Sequence, residues 1–276
     1  MKFGRFFHPS TEPEGHGSQG KEGPEGYIWE GIYEHYRDVP ASGPGFNGER
    51  WVKDSFDLVN ELVRTRRQEQ SNSRPSPGEG EKLLSLLCSL TLRDKGEVKV
   101  LDFGGGSGAG YVYLADMLPD ATRLQYHIVE TTAMCRAGEE FFQGETNIHF
   151  FDSLPPDGRY FDIVYINSAL QYVEDYAGLI HQLCAYDPSF FLFVRLSAGK
   201  IPTFATAQRN VEDSVLPYWF LNIDELVQIF RKEGYSPLLQ CTSKVSYDQS
   251  NLPLEYRLNQ IMDMLLGRRL EEKSDR

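Results

Sequence analysis

The chain has 276 residues, of which 40% are hydrophobic and 13% aromatic, and its 28 basic and 40 acidic side chains give a net charge of −12. This length suits one good-sized α/β domain with extensions, or two small domains. The acidic balance argues against a nucleic-acid partner, which normally requires a basic face. No window approaches the roughly 18 apolar residues of a membrane span, and the N-terminus lacks the apolar stretch of a secretory signal.

The cysteines and histidines predict a cytoplasmic location and no metal site. Cys88, Cys135, Cys184 and Cys241 are widely spaced, lie in apolar segments and form no Cys-x-x-Cys pair. We therefore expect buried free thiols in a reducing cytosol. The six histidines show no metal-ligand spacing either.

Two polar segments flank an aromatic-rich N-terminal extension. Residues 1–26 and 68–81 are rich in Pro, Gly, Ser and Glu, and we predict that both are disordered. Residues 27–67 lie between them and begin with a predicted loop that carries many aromatic rings. Apolar spacing from Trp51 to about Arg66 then predicts a helix with one buried face. The rings suit a lid over a pocket and ordinary core equally well.

From residue 82 to residue 270, strands and helices alternate, and a polar tail follows at 271–276. Such alternation predicts a doubly wound, Rossmann-like α/β domain with a parallel sheet and right-handed crossovers. The predicted elements are helix 81–92, strand 98–103, helix 109–118, strand 125–130, helix 132–142, strand 147–151, strand 161–166, helix 174–186, strand 190–195, helix 222–234 and strand 236–243.

A long irregular segment and a helix follow the fifth predicted strand. Leu196 to Phe220 has no regular period, and we predict a long functional loop there. Asn222 followed by Glu225 then predicts a capping box at the start of the next helix.

The stretch VKVLDFGGGSGAGY at 98–111 is the most informative part of the chain. An apolar run ends in Asp102, and the glycines that follow before the predicted helix are Gly104, Gly105, Gly106 and Gly108. A glycine turn lets a ligand approach the bare backbone, and the helix N-terminus offers unpaired N–H groups. The pattern predicts a nucleotide-like cofactor at this turn.

Acidic residues also end the next two apolar runs. Glu130 lies 26 residues beyond Gly104, where a carboxylate can accept both ribose hydroxyls of an adenosine. Asp152, followed by Ser153, ends the third run, where a carboxylate can accept from the adenine amine. Because parallel strands end at one edge of a sheet, we expect these acids and Asp102 to share one site.

Two cofactors fit this pattern. Gly104, Gly106 and Ala109 also satisfy the G-x-G-x-x-G/A pattern of dinucleotide sites. An acid before the glycines would repel a pyrophosphate, whereas it suits the ammonium and sulfonium groups of S-adenosylmethionine (SAM). We favour SAM. An NAD-linked oxidoreductase or epimerase, and a catalytically silent module that binds a partner, are the alternatives.

The fourth run, FDIVYINSALQYVED at 161–175, ends its strand at Asn167 and Ser168 and resembles the fourth-strand signature of class I SAM-dependent methyltransferases. Several further segments extend the resemblance to a largely uncharacterised family of methyltransferases that is often associated with surface-polysaccharide biosynthesis. These segments are WEGIY at 29–33, GPGFNGERW at 43–51, VLDFGGGSG at 100–108, HIVE at 127–130, FFDSL at 150–154, INSALQYVED at 166–175, and PYWF at 217–220 with the helix that follows it to GY at 234–235.

The resemblance implies a seven-stranded methyltransferase sheet whose last, antiparallel strand lies near 263–268, although apolar spacing there is helical. It also implies SAM as cofactor and a small-molecule or glycan acceptor, with O-methylation of a sugar hydroxyl as our expectation. We predict that Tyr172 lies near the transferred methyl group. Further candidates around the acceptor are Arg195, Glu212, Asp213, Glu30 and Tyr33.

Overall fold

The computed structural model describes residues 27–68, 77–156, 160–209, 211, 214–243 and 245–269. In chain order the helices and strands are β1 (Trp29–Tyr33), α1 (Glu49–Gln68), α2 (Glu79–Lys95), β2 (Val98–Phe103), α3 (Ala109–Met117), β3 (Leu124–Val129), α4 (Thr132–Phe141), β4 (Ile148–Phe151), β5 (Ile163–Asn167), α5 (Tyr176–Cys184), β6 (Phe190–Leu196), β7 (Ala198–Gly199), β8 (Phe204–Gln208), β9 (Leu216–Asn222), α6 (Ile223–Lys232), β10 (Tyr235–Thr242) and β11 (Met262–Arg268).

The predicted doubly wound, seven-stranded sheet is confirmed. Its strand order is β10-β11-β6-β5-β2-β3-β4, and β2 to β6 run parallel. The predicted last strand is β11, which runs antiparallel to both of its neighbours. The chain runs outward from β2 through β3 to β4, then returns to β5 on the other side of β2. The strand order therefore reverses between β2 and β5, where open α/β sheets bind ligands.

Side chains of the central strands are buried on both faces of the sheet. Along β5, Val164 and Ile166 belong to one hydrophobic cluster, while Ile163 and Tyr165 belong to another on the opposite face. Successive residues of a strand point to opposite faces, so a strand covered on both sides is apolar throughout. This explains why the central strands are readable as continuous apolar runs.

The predicted loop from Leu196 to Phe220 is wrong. This stretch contains β7, β8 and β9, and together with β1 they form a second sheet in the order β1-β8-β9-β7. All five residues of β8 are buried, so the strand lacks the alternation that marks a half-buried strand. Pro217 inside β9 also suppresses a strand prediction, since proline is rare in paired strands.

The N-terminal extension is integrated into the fold. Trp29 on β1 is 1% exposed and packs against the rings of Tyr218 and Phe220 on β9, so this ring belongs to a core. The predicted helix is confirmed as α1, and Val59 joins it to the hydrophobic cluster shared by α2 and α3.

Several predicted details need correction or lie outside the described residues. Segments 1–26, 69–76 and 271–276, which include both predicted polar tails, lie outside the described residues. The predicted insert at 68–81 is too long, because α1 ends at Gln68 and α2 begins at Glu79. Cys241 is exposed on β10, an edge strand, so the prediction that it is buried is wrong. Within the described residues, no helix combines the length and apolar composition needed to cross a membrane.

The capping box predicted for α6 is half formed. The Asn222 side chain accepts hydrogen bonds from the backbone N–H groups of Asp224, at 2.9 Å, and Glu225, at 3.1 Å. The Glu225 carboxylate instead accepts from the hydroxyl of Thr203 at 2.7 Å, so it does not return to the cap.

Candidate cofactor site

The glycine turn between β2 and α3 has a backbone that other residues rarely adopt. Gly104, Gly106 and Gly108 have φ values of 72°, 58° and 86°, in the left-handed region that favours glycine. A Cβ placed on Gly104 would lie 2.4 Å from the Cβ of Ala169, whereas one placed on Gly106 would meet nothing within 4 Å. The turn is therefore packed on one side and open to a ligand on the other.

Asp102 lies beneath this turn rather than beside it. Its side chain is buried, one carboxylate oxygen accepts from the Tyr126 hydroxyl at 2.6 Å, and the other oxygen has no partner. A Cβ on Gly105 would lie 2.4 Å from this carboxylate, so the turn rests directly on it. Burial raises the pKa of Asp102 to about 7, and the charges of Glu130 and Glu81 add to the effect. We expected this acid to lie beside the turn, and the structure instead places its carboxylate beneath the backbone of Gly105.

Glu130 meets the glycine turn as expected. One carboxylate oxygen accepts from the Gly106 N–H at 3.2 Å, and the other accepts from the Thr131 N–H at 2.7 Å. Burial raises the pKa of Glu130, while these two N–H groups oppose the rise by stabilising the charged form. The carboxylate therefore stands at the open end of the turn, directly after β3.

Asp152 and Ser153 follow β4 at the same edge of the sheet, and both are exposed. Asp152 accepts from the Thr132 hydroxyl at 3.4 Å, across the first turn of α4. These two residues therefore lie at the rim of the edge, one strand beyond Glu130.

The ends of β5 and β6 are joined by side-chain hydrogen bonds. The Arg195 Nε donates to Asn167 Oδ1 at 3.0 Å, and the buried amide of Gln171 donates to Ser168 Oγ at 3.2 Å and to the Arg195 carbonyl at 3.4 Å. Ser168 and Arg195 have φ values of 55° and 52°, a strained conformation for such residues that surrounding contacts must hold. Such strain concentrates at functional sites.

Tyr172 packs edge-on against Phe46 and Tyr218, with ring centroids at 4.8 and 5.1 Å. Its carbonyl accepts from the Tyr36 hydroxyl at 2.8 Å. Burial raises the pKa of the Tyr172 phenol well above its ordinary value of 10. The phenol therefore stays neutral near pH 7 and can donate a hydrogen bond, but it is a poor general base.

Two further candidates around the acceptor, Glu30 and Tyr33, lie on β1 of the second sheet. Glu30 forms an ion pair with Arg209, which follows β8, and the Tyr33 ring folds back over Gly31. Glu212 and Asp213 lie outside the described residues.

No protein-family model matches the chain, and no curated protein matches it either. Several solved structures resemble the chain at low sequence identity. A SAM-dependent methyltransferase from Mesorhizobium loti is 15% identical, with a TM-score of 0.47, over 70% of this chain and 99% of the other. The 1,6-didemethyltoxoflavin-N1-methyltransferase from Burkholderia thailandensis is 16% identical, with a TM-score of 0.46, over 84% of this chain and 92% of the other.

Sequence reasoning missed two contributors to the site. Glu81, in the first turn of α2, is 3% exposed, and its carboxylate accepts from the Gly78 N–H while the charge of Arg195 acts on it. Ser107 donates to the carbonyl of Ser55 at 2.9 Å, which holds α1 over the glycine turn. Glu81 is the third residue of its helix, a position where an acid often bonds the helix N-terminus, so the sequence could have indicated this contact. Nothing in the local sequence indicated the contact between α1 and the turn.

Proposed function

We propose that this protein is a SAM-dependent methyltransferase. The observation that carries the proposal is the Glu130 carboxylate, bonded to the Gly106 N–H beside an open glycine turn at the strand-order switch. A carboxylate in this place can accept the ribose hydroxyls of an adenosine. The buried acids beneath the turn favour a cationic ligand, and they disfavour the pyrophosphate of NAD.

Bound SAM would supply a methyl group on a positively charged sulfur. The acceptor atom forms a bond to that methyl carbon as the carbon–sulfur bond breaks, and the acceptor proton leaves to a base or to solvent. Most of the acceleration can come from holding the acceptor in line with the methyl group. Asn167 and Ser168, held by Arg195 and Gln171, are the residues that we propose position the donor end.

We further propose a small-molecule acceptor, and a sugar hydroxyl as the methylated group. Tyr172 is a partly exposed ring beyond β5 that packs edge-on against Tyr218, and the Gln171 amide donates to the Tyr218 hydroxyl at 3.3 Å. Aromatic faces beside hydrogen-bonding side chains suit a sugar ring. The net charge of −12 disfavours a polyanionic acceptor such as nucleic acid. A role in polysaccharide synthesis and a cytoplasmic location remain part of this proposal.

Calorimetric titration with SAM, and with NAD as the comparison ligand, tests the proposal. We expect the purified protein to bind SAM with micromolar affinity and NAD far more weakly. Glu130→Ala should weaken SAM binding at least about tenfold, because it removes the acceptor for ribose and the bond that orders Gly106. Glu140→Ala, an exposed acid on α4, is the matched control and should bind like the unmodified protein.

Binding of NAD in preference to SAM would sink the methyltransferase proposal in favour of the dehydrogenase alternative. Equal SAM affinity in both variants would remove Glu130 from the site.

A further inference from the structure

Carboxyl groups outnumber cations around the glycine turn. Glu81 and Asp102 are 3% and 2% exposed, and Glu130 stands beside them. Among the described residues, the charge of Arg195 acts on Glu81, and no cation contributes to the raised pKa of Asp102 or of Glu130. The site therefore has an excess of buried negative charge when these groups are ionised.

The Asp102 carboxylate is aimed at the turn and is incompletely bonded. It lies against the backbone of Gly105, and its second oxygen is buried with no hydrogen-bond partner. A buried polar atom without a partner is costly, and proteins tolerate one where it serves a function. This oxygen, Oδ1, lies 3.1 Å from the position that a Cβ on Gly105 would take, whereas the nearer oxygen, Oδ2, is the one bonded to Tyr126. Ionisation of Asp102 therefore places negative charge directly under the glycine turn.

Groups from every neighbouring element shape this charge. The Tyr126 hydroxyl on β3 donates a hydrogen bond to Asp102. The charges of Glu81 and Asp102 raise the pKa of Tyr165 on β5. The charge of Asp263 on β11 raises the pKa of Glu81. The remaining charged and titratable neighbours are Glu130 after β3, Arg195 on β6 and Cys88 on α2, the last of which faces Tyr126.

A buried carboxyl group in such surroundings has two ways to lower its free energy. It can take up a proton, which agrees with the raised pKa values of Glu81 and Asp102. It can also stay ionised if a fixed positive charge arrives nearby, because opposite charges interact strongly where water is excluded. A ligand that carries such a charge is therefore favoured over a neutral ligand of the same shape.

Resting on the function proposed above, we propose that Glu81 and Asp102 are specificity-determining residues that select a cationic ligand over its uncharged counterpart at the glycine turn. SAM carries a positive sulfur, and S-adenosylhomocysteine, its product after methyl transfer, carries a neutral thioether in the same place. The excess of carboxylates then favours entry of the methyl donor and exit of the product.

Three ligands separate charge from shape in a calorimetric test at pH 8. SAM and sinefungin carry a cation at the reacting position, and S-adenosylhomocysteine does not. We expect Asp102→Asn to reduce the ratio of SAM affinity to S-adenosylhomocysteine affinity by about fivefold or more. The ratio of sinefungin affinity to S-adenosylhomocysteine affinity should fall in parallel. Glu81→Gln should act in the same direction, and the exposed control Glu140→Gln should leave both ratios unchanged.

A pH series on the unmodified protein provides a test that needs no variant to fold. The same affinity ratio should rise from pH 6 to pH 8, as the carboxyl groups lose their protons. Ratios that do not change with pH or in either variant would overturn this inference while leaving the methyltransferase proposal intact. Failure of all three ligands to bind the folded, unmodified protein would instead overturn the proposed function.

Discussion

Gly104→Ala should both destabilise the protein and abolish SAM binding. Gly104 has φ 72°, and an added Cβ would lie 2.4 Å from the Cβ of Ala169, so the turn or the Ser168–Ala169 segment must move. The left-handed backbone costs an alanine about 1–2 kcal/mol, and the overpacking costs about 1–3 kcal/mol more. We therefore expect urea unfolding to show a loss of about 2–5 kcal/mol in the free energy of unfolding.

Gly144→Ala is the matched control for this substitution. Gly144 also has a positive φ, at 93°, but a Cβ there would meet nothing within 4 Å. The Gly144→Ala variant should therefore lose only about 1–2 kcal/mol in the free energy of unfolding, the cost of an alanine in the left-handed region, and it should keep its SAM affinity. Equal stability and equal SAM binding in the two variants would contradict the close packing of the glycine turn against Ala169.

Asp102→Asn should stabilise the ligand-free protein at pH 8. The pKa of Asp102 in the folded state is about 7, above the ordinary value of 3.8, so the folded state holds this proton more tightly than the unfolded state. The resulting penalty is absent below about pH 4, grows as the pH rises toward 7, and is complete above 7. At 1.36 kcal/mol per pKa unit, the full penalty is about 4 kcal/mol at most.

An asparagine side chain carries no charge, and its oxygen can still accept from the Tyr126 hydroxyl. The variant should therefore match the unmodified protein in urea unfolding at pH 5 more closely than at pH 8, where it should be more stable by about 1–4 kcal/mol. A gain that is the same at both values of pH would show that charge at Asp102 is not its cause. Together with weaker SAM selectivity, a gain confined to high pH would identify Asp102 as a residue that lowers stability for the sake of binding.

Local signals explain why the main sheet and much of the candidate site were predictable. The apolar runs of the central strands follow from burial on both faces, and the glycines after Asp102 reflect backbone conformations that few other residues adopt. Parallel strands end at one edge, so Glu130 could be expected near Gly106 before any coordinates were known. Asn222 likewise marked the start of α6, because a helix needs its first N–H groups satisfied.

The parts that could not be predicted depend on contacts between distant segments. Strand β1 pairs with β8, as Trp29 with Gln208, across more than 170 residues, and neither strand has an alternating pattern that would reveal it. The sequence places Asp102 beside the turn, but only the packing of Tyr126 and Gly105 shows that its carboxylate lies underneath. Glu81 precedes β2 in the chain, and the influence of the Arg195 charge on it follows from the docking of α2 on the sheet.

A crystal structure of the protein soaked with S-adenosylhomocysteine tests the central claim most directly. We predict that the adenosine lies across the open face of Gly106, with its ribose hydroxyls within hydrogen-bond distance of the Glu130 carboxylate and its thioether beside Asn167 and Ser168. A ligand bound elsewhere on the protein, or a glycine turn left empty at saturating ligand, would contradict the assignment of this edge of the sheet as the cofactor site.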